Sequence, residues 1–179
     1  MLIYNSKTNI AIGFSPKVAS TSIRHYGSAN GWRQLGAPDV QSINPDQCYF
    51  IIRDPRKRFP SAIQMYIRRW AKAMGMSIQQ HWEERLPKLR NSVVRENPRD
   101  WYVVDSTHFI PQCDVMAKFQ LQFELVKLEN LHTVLPDMDR RDNSGNAWLK
   151  QRCEEFAQQF EEHIPRLYAK DYELYARAN

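Results

Sequence analysis

Two short apolar runs, residues 9–14 (NIAIGF) and 48–52 (CYFII), constrain this chain more than any other feature, because each stops at a polar turn and leads into a helical pattern. The first ends at Ser15-Pro16, and residues 19–30 then run without proline to a Gly/Ser/Asn cluster at Gly31, which reads as a helix and its stop. The second is uniformly apolar, as a central strand covered on both faces must be. Strand, loop and helix in this order open a parallel α/β fold.

The remaining segments fit that class. Residues 32–35 read as a short strand before a turn-rich stretch, and residues 119–128 (FQLQFELVKL) nearly alternate and read as another strand. From Ser61 the apolar positions Ile63, Tyr66, Ile67, Trp70, Ala71 and Met74 fall at helical spacing, with Gln64, Arg68, Arg69 and Lys72 opposite. Residues 77–104 are charged and interrupted by Pro87 and Pro98, and they read as a variable insertion of one or two short peripheral helices around Trp82 and Trp101. Two amphipathic helices, residues 147–160 and 164–176, close the chain. The predicted architecture is α/β: a three-layer sandwich with a short central parallel sheet flanked by helices.

Composition bounds what such a fold can do. A chain of 179 residues with 42% hydrophobic and 12% aromatic residues supports one folded domain and excludes a disordered class. The formal charge of +5 suits anionic partners, yet both signs are interspersed without a basic run, so nucleic acid is not an expected partner. Three widely separated cysteines, Cys48, Cys113 and Cys153, match neither a disulfide framework nor a zinc site and read as reduced thiols. No window approaches the ~20 apolar residues of a membrane span and no secretory leader is legible, so a cytoplasmic protein without membrane attachment is expected.

The chemistry sits in the two turns. After the first strand comes Ser15-Pro16-Lys17-Val18-Ala19-Ser20-Thr21-Ser22, with one lysine, small residues and three consecutive hydroxyls. Backbone N–H groups at a helix N-terminus carry partial positive charge, so an anion at this place gains several hydrogen bonds. Helix capping by the same hydroxyls is the competing reading. The Walker A pattern is absent, because Lys17 precedes the hydroxyls and no glycine follows Gly13 within the turn. After the second strand comes Arg53-Asp54-Pro55-Arg56-Lys57-Arg58-Phe59-Pro60-Ser61. An arginine at a strand end and a serine on the following helix suit a phosphate held by paired guanidinium bonds. Two anion sites at neighbouring strand ends suit a ligand phosphorylated at both ends.

Taken jointly, these segments resemble the P-loop-like sulfotransferases, closest to the carbohydrate branch of the chondroitin and HNK-1 type. That family carries P-K-x-A-S-T followed by Ser or Thr at the 5′-phosphosulfate of its donor, and R-D-P-x-x-R-x-x-S at the 3′-phosphate. Both stand here in order, at Pro16 to Ser22 and at Arg53 to Ser61. His108-Phe109-Ile110-Pro111-Gln112 is similar to the family's H-x-x-P-Q segment, and residues 167–175 are similar to its closing helix. The resemblance implies transfer of a sulfuryl group from 3′-phosphoadenosine-5′-phosphosulfate, without a metal, to a hydroxyl acceptor, a glycan or small molecule, leaving adenosine 3′,5′-bisphosphate. It assigns Lys17, Val18, Ala19, Ser20, Thr21 and Ser22 to the 5′ end, Arg53 and Ser61 to the 3′-phosphate, and catalysis to Lys17 and His108. Pro60 departs from the pattern and places the predicted helix start there rather than at Pro55.

Several alternatives stay open on the residues alone. Asp54 ahead of Pro55 is a good cap or turn residue and receives no catalytic role. Arg58 reaches a phosphate or braces its loop by a salt bridge, and His108 is a base or a loop-holding histidine. Glu129 and Asp171 read as structural ion pairs. A small-molecule kinase or nucleotidase, with Asp54 on a metal, is the second functional reading, and a non-catalytic nucleotide-binding module is the third.

Overall fold

The computed structural model describes residues 1–96, 105, 107–138 and 146–179. In chain order the elements are β1 (Leu2–Asn5), β2 (Ile10–Phe14), α1 (Ser20–Ala29), β3 (Arg33–Leu35), α2 (Ala37–Val40), β4 (Gln47–Ile52), α3 (Pro55–Met74), α4 (Ile78–Val94), α5 (Gln112–Ala117), β5 (Glu124–Lys127), a 3-10 turn (Leu128–Thr133), α6 (Ala147–Gln159), α7 (Ile164–Leu167) and α8 (Ala169–Arg177). They divide into two units, one from the described parts of residues 1–54, 111–142 and 170–179, the other from those of 55–110 and 143–169.

The first unit is α/β, built on a five-stranded sheet in the order β3-β1-β2-β4-β5. Strands β2, β4 and β5 run parallel, while β1 runs antiparallel to both β2 and β3, so the sheet is mixed rather than parallel throughout. Strand β1 was not legible because its four residues gain strand geometry from the hairpin with β2. In that hairpin Asn5 Oδ1 accepts the Lys7 N–H at 2.9 Å and Tyr4 donates to Asn9 Oδ1 at 2.6 Å. Strand β5 is shorter than predicted, because Gln120 turns at φ 53° and Phe119 instead stacks edge-on against Phe123.

Side-chain alternation along the parallel strands fills both faces. Ile12, Phe14, Ile51 and Val126 join Val18 and Ile23 of the α1 side and Leu131 and Leu135 in one buried cluster. Ile52 on the other face meets Leu174 and Ala178, with Cys113, Met116 and Leu125 packed around them. The alternation explains the uniformly apolar β4: Ile51 faces one layer and Ile52 the next. A Cβ on Gly13 would lie 2.8 Å from Phe50 Cδ2, so glycine is what lets β2 and β4 approach there. The C-terminal tail covers the β5 edge, with the Lys127 N–H donating to the Asn179 carbonyl at 2.7 Å.

The second unit is helical. Helix α3 starts at Pro55 and runs through Pro60, contrary to the expectation that Pro60 marks its start. Pro55 suits a first helical position, and the hydrogen bond lost at Pro60 is outweighed by burial of Phe59, Ala62, Ile63, Tyr66 and Ile67 along one face. Likewise α4 is one helix of 17 residues continuing through Pro87, where one or two short helices were predicted. A capping box fixes its start: Ser77 Oγ accepts the Gln80 N–H and Gln80 Oε1 accepts the Ser77 N–H, each at 3.1 Å. Buried Trp82, Leu89 and Val93 hold its far side. Residues 97–104 of the predicted insertion lie outside the described residues. Helix α6 matches its prediction to within a residue, whereas the final predicted helix is two, divided at Tyr168.

Candidate anion-binding and catalytic residues

Parallel pairing of β2 and β4 places Phe14 opposite Ile51, so the chain leaves both strands at the same sheet edge, one residue before Ser15 and two before Arg53. The first loop then folds tightly. Lys17 and Ala19 hold positive φ, 71° and 57°, on either side of Val18, whose φ is negative. Residues with a Cβ give up about 1–2 kcal/mol in that region. Three observations account for its persistence. Val18 is fully buried and anchors the loop in the core. The Arg53 guanidinium donates from Nη1 to the Lys17 carbonyl at 2.9 Å. Ser15 is fully buried at the loop's base. Alternating backbone handedness turns successive N–H groups toward one side, the geometry of an anion-binding nest.

Helix α1 begins directly after this turn. Its N-cap is Ala19, no side chain caps it, and its first turn carries no acidic residue. The hydroxyls of Ser20, Thr21 and Ser22 therefore do not serve as N-caps, which removes the competing reading. The opening N–H groups of a helix have no acceptor of their own within it. Ser20 is half-buried and Thr21 exposed, while Ser22 is buried and lines a cleft of about 230 Å3 beside His25, Tyr26 and Asp137.

A residue that sequence reasoning assigned no role ties the two loops together. Gln112, fully buried, accepts the Arg53 backbone N–H on Oε1 at 3.0 Å and donates from Nε2 to the Arg53 carbonyl at 2.9 Å, while Ser15 Oγ reaches the same Oε1 at 3.5 Å. Only one orientation of the amide satisfies both Arg53 groups. Asp171, fully buried, holds Gln112 in turn: its two oxygens accept the N–H groups of Gln112 and Cys113 at 2.8 and 2.9 Å, the first two of α5. Asp171 is thus a helix-terminus acceptor rather than a member of an ion pair. Burial first, then the charge of Asp171, pushes the Cys113 thiol up to about 12. Glu129 accepts from the Tyr175 hydroxyl at 3.4 Å. Burial, then the carboxylates of Glu129 and Asp54, raise that hydroxyl's pKa.

Ser61 and His108 belong to the second unit. Ser61 is half-buried in the second turn of α3. His108 sits on a loop whose carbonyls are held one after another: buried Arg58 donates from Nη2 to those of His108 (3.1 Å) and Ile110 (2.6 Å), and the Tyr168 hydroxyl donates to that of Phe109 (3.0 Å). Arg58 therefore braces this loop through its backbone. The His108 ring approaches Asp105, with Nδ1 2.7 Å from Oδ2. The D-x-x-H spacing was available in the sequence, but only the closed turn makes the two side chains meet.

Among the described residues no helix is long and apolar enough to cross a membrane. Scans against protein-family models, curated proteins and solved structures return no match to the chain.

Proposed function

We propose that this protein is a sulfotransferase of the P-loop-like type, which moves a sulfuryl group from 3′-phosphoadenosine-5′-phosphosulfate to a hydroxyl of a carbohydrate or small molecule. The observation that carries this reading is the meeting of the two turns: Arg53, leaving β4, donates to the carbonyl of Lys17, leaving β2, at the rim of an uncapped helix. Two anion-binding turns side by side suit a nucleotide phosphorylated at both its 5′ and 3′ positions, and a nucleoside triphosphate needs only one.

The donor supplies an activated sulfuryl group whose transfer is in line, with charge building on the bridging and outer oxygens. The N–H groups of Val18 to Ser22 and the hydroxyls of Ser20 and Thr21 hold its 5′ end, and Lys17 offsets the developing charge. Arg53, whose planar guanidinium suits paired hydrogen bonds to phosphate, is assigned to the 3′-phosphate. The family resemblance assigns Ser61 to the 3′-phosphate and the acceptor hydroxyl's proton to His108.

Thermal unfolding with adenosine 3′,5′-bisphosphate tests the reading. At a ligand concentration about 100 times its Kd the folded state gains about 2.7 kcal/mol, which raises Tm by about 5–10 °C for a chain of this size. Lys17→Ala and Arg53→Ala should each abolish the shift. A shift with ATP and magnesium but none with the bisphosphate would replace this reading with that of a kinase or nucleotidase.

A further inference from the structure

The loop that carries His108 is more heavily braced than a connecting loop requires. Its three consecutive carbonyls are held by Arg58 and Tyr168. Phe109 between them is buried against the rings of Phe59 and Tyr66, at 6.1 and 6.3 Å between centroids. Its start is closed by Asp105, whose Oδ1 accepts the backbone N–H groups of Thr107 (2.9 Å) and His108 (3.1 Å). That leaves the second oxygen, Oδ2, aimed at the ring of the residue three positions on, 2.7 Å from Nδ1. Both side chains are largely withdrawn from water, 6% exposed for Asp105 and 14% for His108.

Which proton lies between them follows from Asp105. Burial alone would raise its carboxyl, but the contact with the His108 ring and the backbone N–H groups of Thr107 and His108 together hold it below the ordinary carboxylate range. An ionised carboxylate only accepts, so the hydrogen must sit on Nδ1. A neutral imidazole that donates from Nδ1 keeps its lone pair on Nε2.

We infer that Asp105 is a positioning residue, which holds His108 in the Nδ1–H form and so leaves Nε2 as a ready proton acceptor for the reaction this chain catalyses. The reaction in question rests on the sulfotransferase reading; the tautomer does not. In the transfer step the acceptor oxygen forms its bond to sulfur as the bond from sulfur to the donor's phosphate oxygen breaks. The acceptor proton passes to Nε2, and the resulting imidazolium is stabilised by Asp105 through Nδ1–H.

Asp105→Asn is the informative substitution. The amide oxygen keeps the Thr107 and His108 N–H groups, so the loop stays closed, while the amide nitrogen replaces Oδ2 and donates to Nδ1. The ring must then carry its hydrogen on Nε2. Nitrogen-15 spectra of labelled histidine, with His108 identified by its loss in His108→Gln, read the tautomer directly. The expected result is Nδ1–H in the native protein and Nε2–H in Asp105→Asn. With labelled sulfate donor, kcat should fall about 100-fold or more, the range of a lost general base, while the thermal shift with adenosine 3′,5′-bisphosphate is unchanged. An Nε2–H ring in the native protein, or a tautomer unmoved by Asp105→Asn, overturns the assignment, as does an undiminished kcat after the tautomer has switched. If the native protein transfers no sulfuryl group, the sulfotransferase reading falls, and the spectra still decide whether Asp105 sets the ring.

Discussion

Replacing Gln112 tests whether the two loops are held by a single side chain. Gln112 makes two well-formed hydrogen bonds to Arg53, at 3.0 and 2.9 Å, and a longer one from Ser15 at 3.5 Å. Because Arg53 is half-buried, its freed N–H and C=O regain part of their hydration, so each good bond is worth about 1 kcal/mol and the pair about 2. Gln112→Met, which keeps the volume and removes both bonds, should therefore lose about 2 kcal/mol. Gln112→Ala also forfeits buried side-chain volume, about 1 kcal/mol more for the methylene alone. For a chain of this size these losses correspond to Tm falls of about 4–8 and 6–12 °C. Calorimetry gives the stabilities, and binding of adenosine 3′,5′-bisphosphate gives the effect on the site, which should weaken in both variants as Arg53 loses its fixed backbone. A Met variant within about 0.5 kcal/mol of the native protein, the scatter of ordinary surface substitutions, would refute the clamp.

Pro87 is exposed in the interior of α4, so Pro87→Ala restores a backbone donor and should stabilise the second unit, by up to about 3 kcal/mol; an unchanged urea midpoint would show that the helix has already adapted to the proline. Burial pushes the Cys153 thiol up to about 12, as it does Cys113, so neither should react with iodoacetamide in the folded protein at mildly alkaline pH, and both should react once unfolded, as mass spectrometry would report. The Asp105 carboxyl is depressed in the folded state, so the stability it contributes is fully present above the unfolded value of 3.8 and is lost as pH falls through the lower folded value. The stability gap between the native protein and Asp105→Asn should therefore stay constant above pH 3.8 and narrow as pH falls from there through the folded value, as urea titrations across the acid range would show.

Much of the fold was legible because it follows from local pattern. Unbroken apolar residues in β4 need cover on both faces, and helical spacing in α3 and α6 needs one buried face, so those elements could be read from their own residues. The two turns carrying Lys17 and Arg53 were legible for the same reason, each being a polar stretch that directly follows an apolar run. What failed depended on pairing and burial that the pattern of a short segment does not display. Four residues become β1 only beside β2, and the prolines of α3 and α4 are tolerated only because buried side chains on the same helices outweigh a missing hydrogen bond.

The site divides in the same way. Residue types alone marked Lys17, Arg53 and the hydroxyls after them as candidate anion ligands, since charge and donor chemistry travel with the side chain. Tertiary structure decided that Ala19 rather than a serine precedes the helix, and that Gln112 reaches back to Arg53 while Asp171 holds Gln112. No spacing rule could supply these links, because a hydrogen bond between residues about 60 positions apart exists only after the strands have set the distance between them.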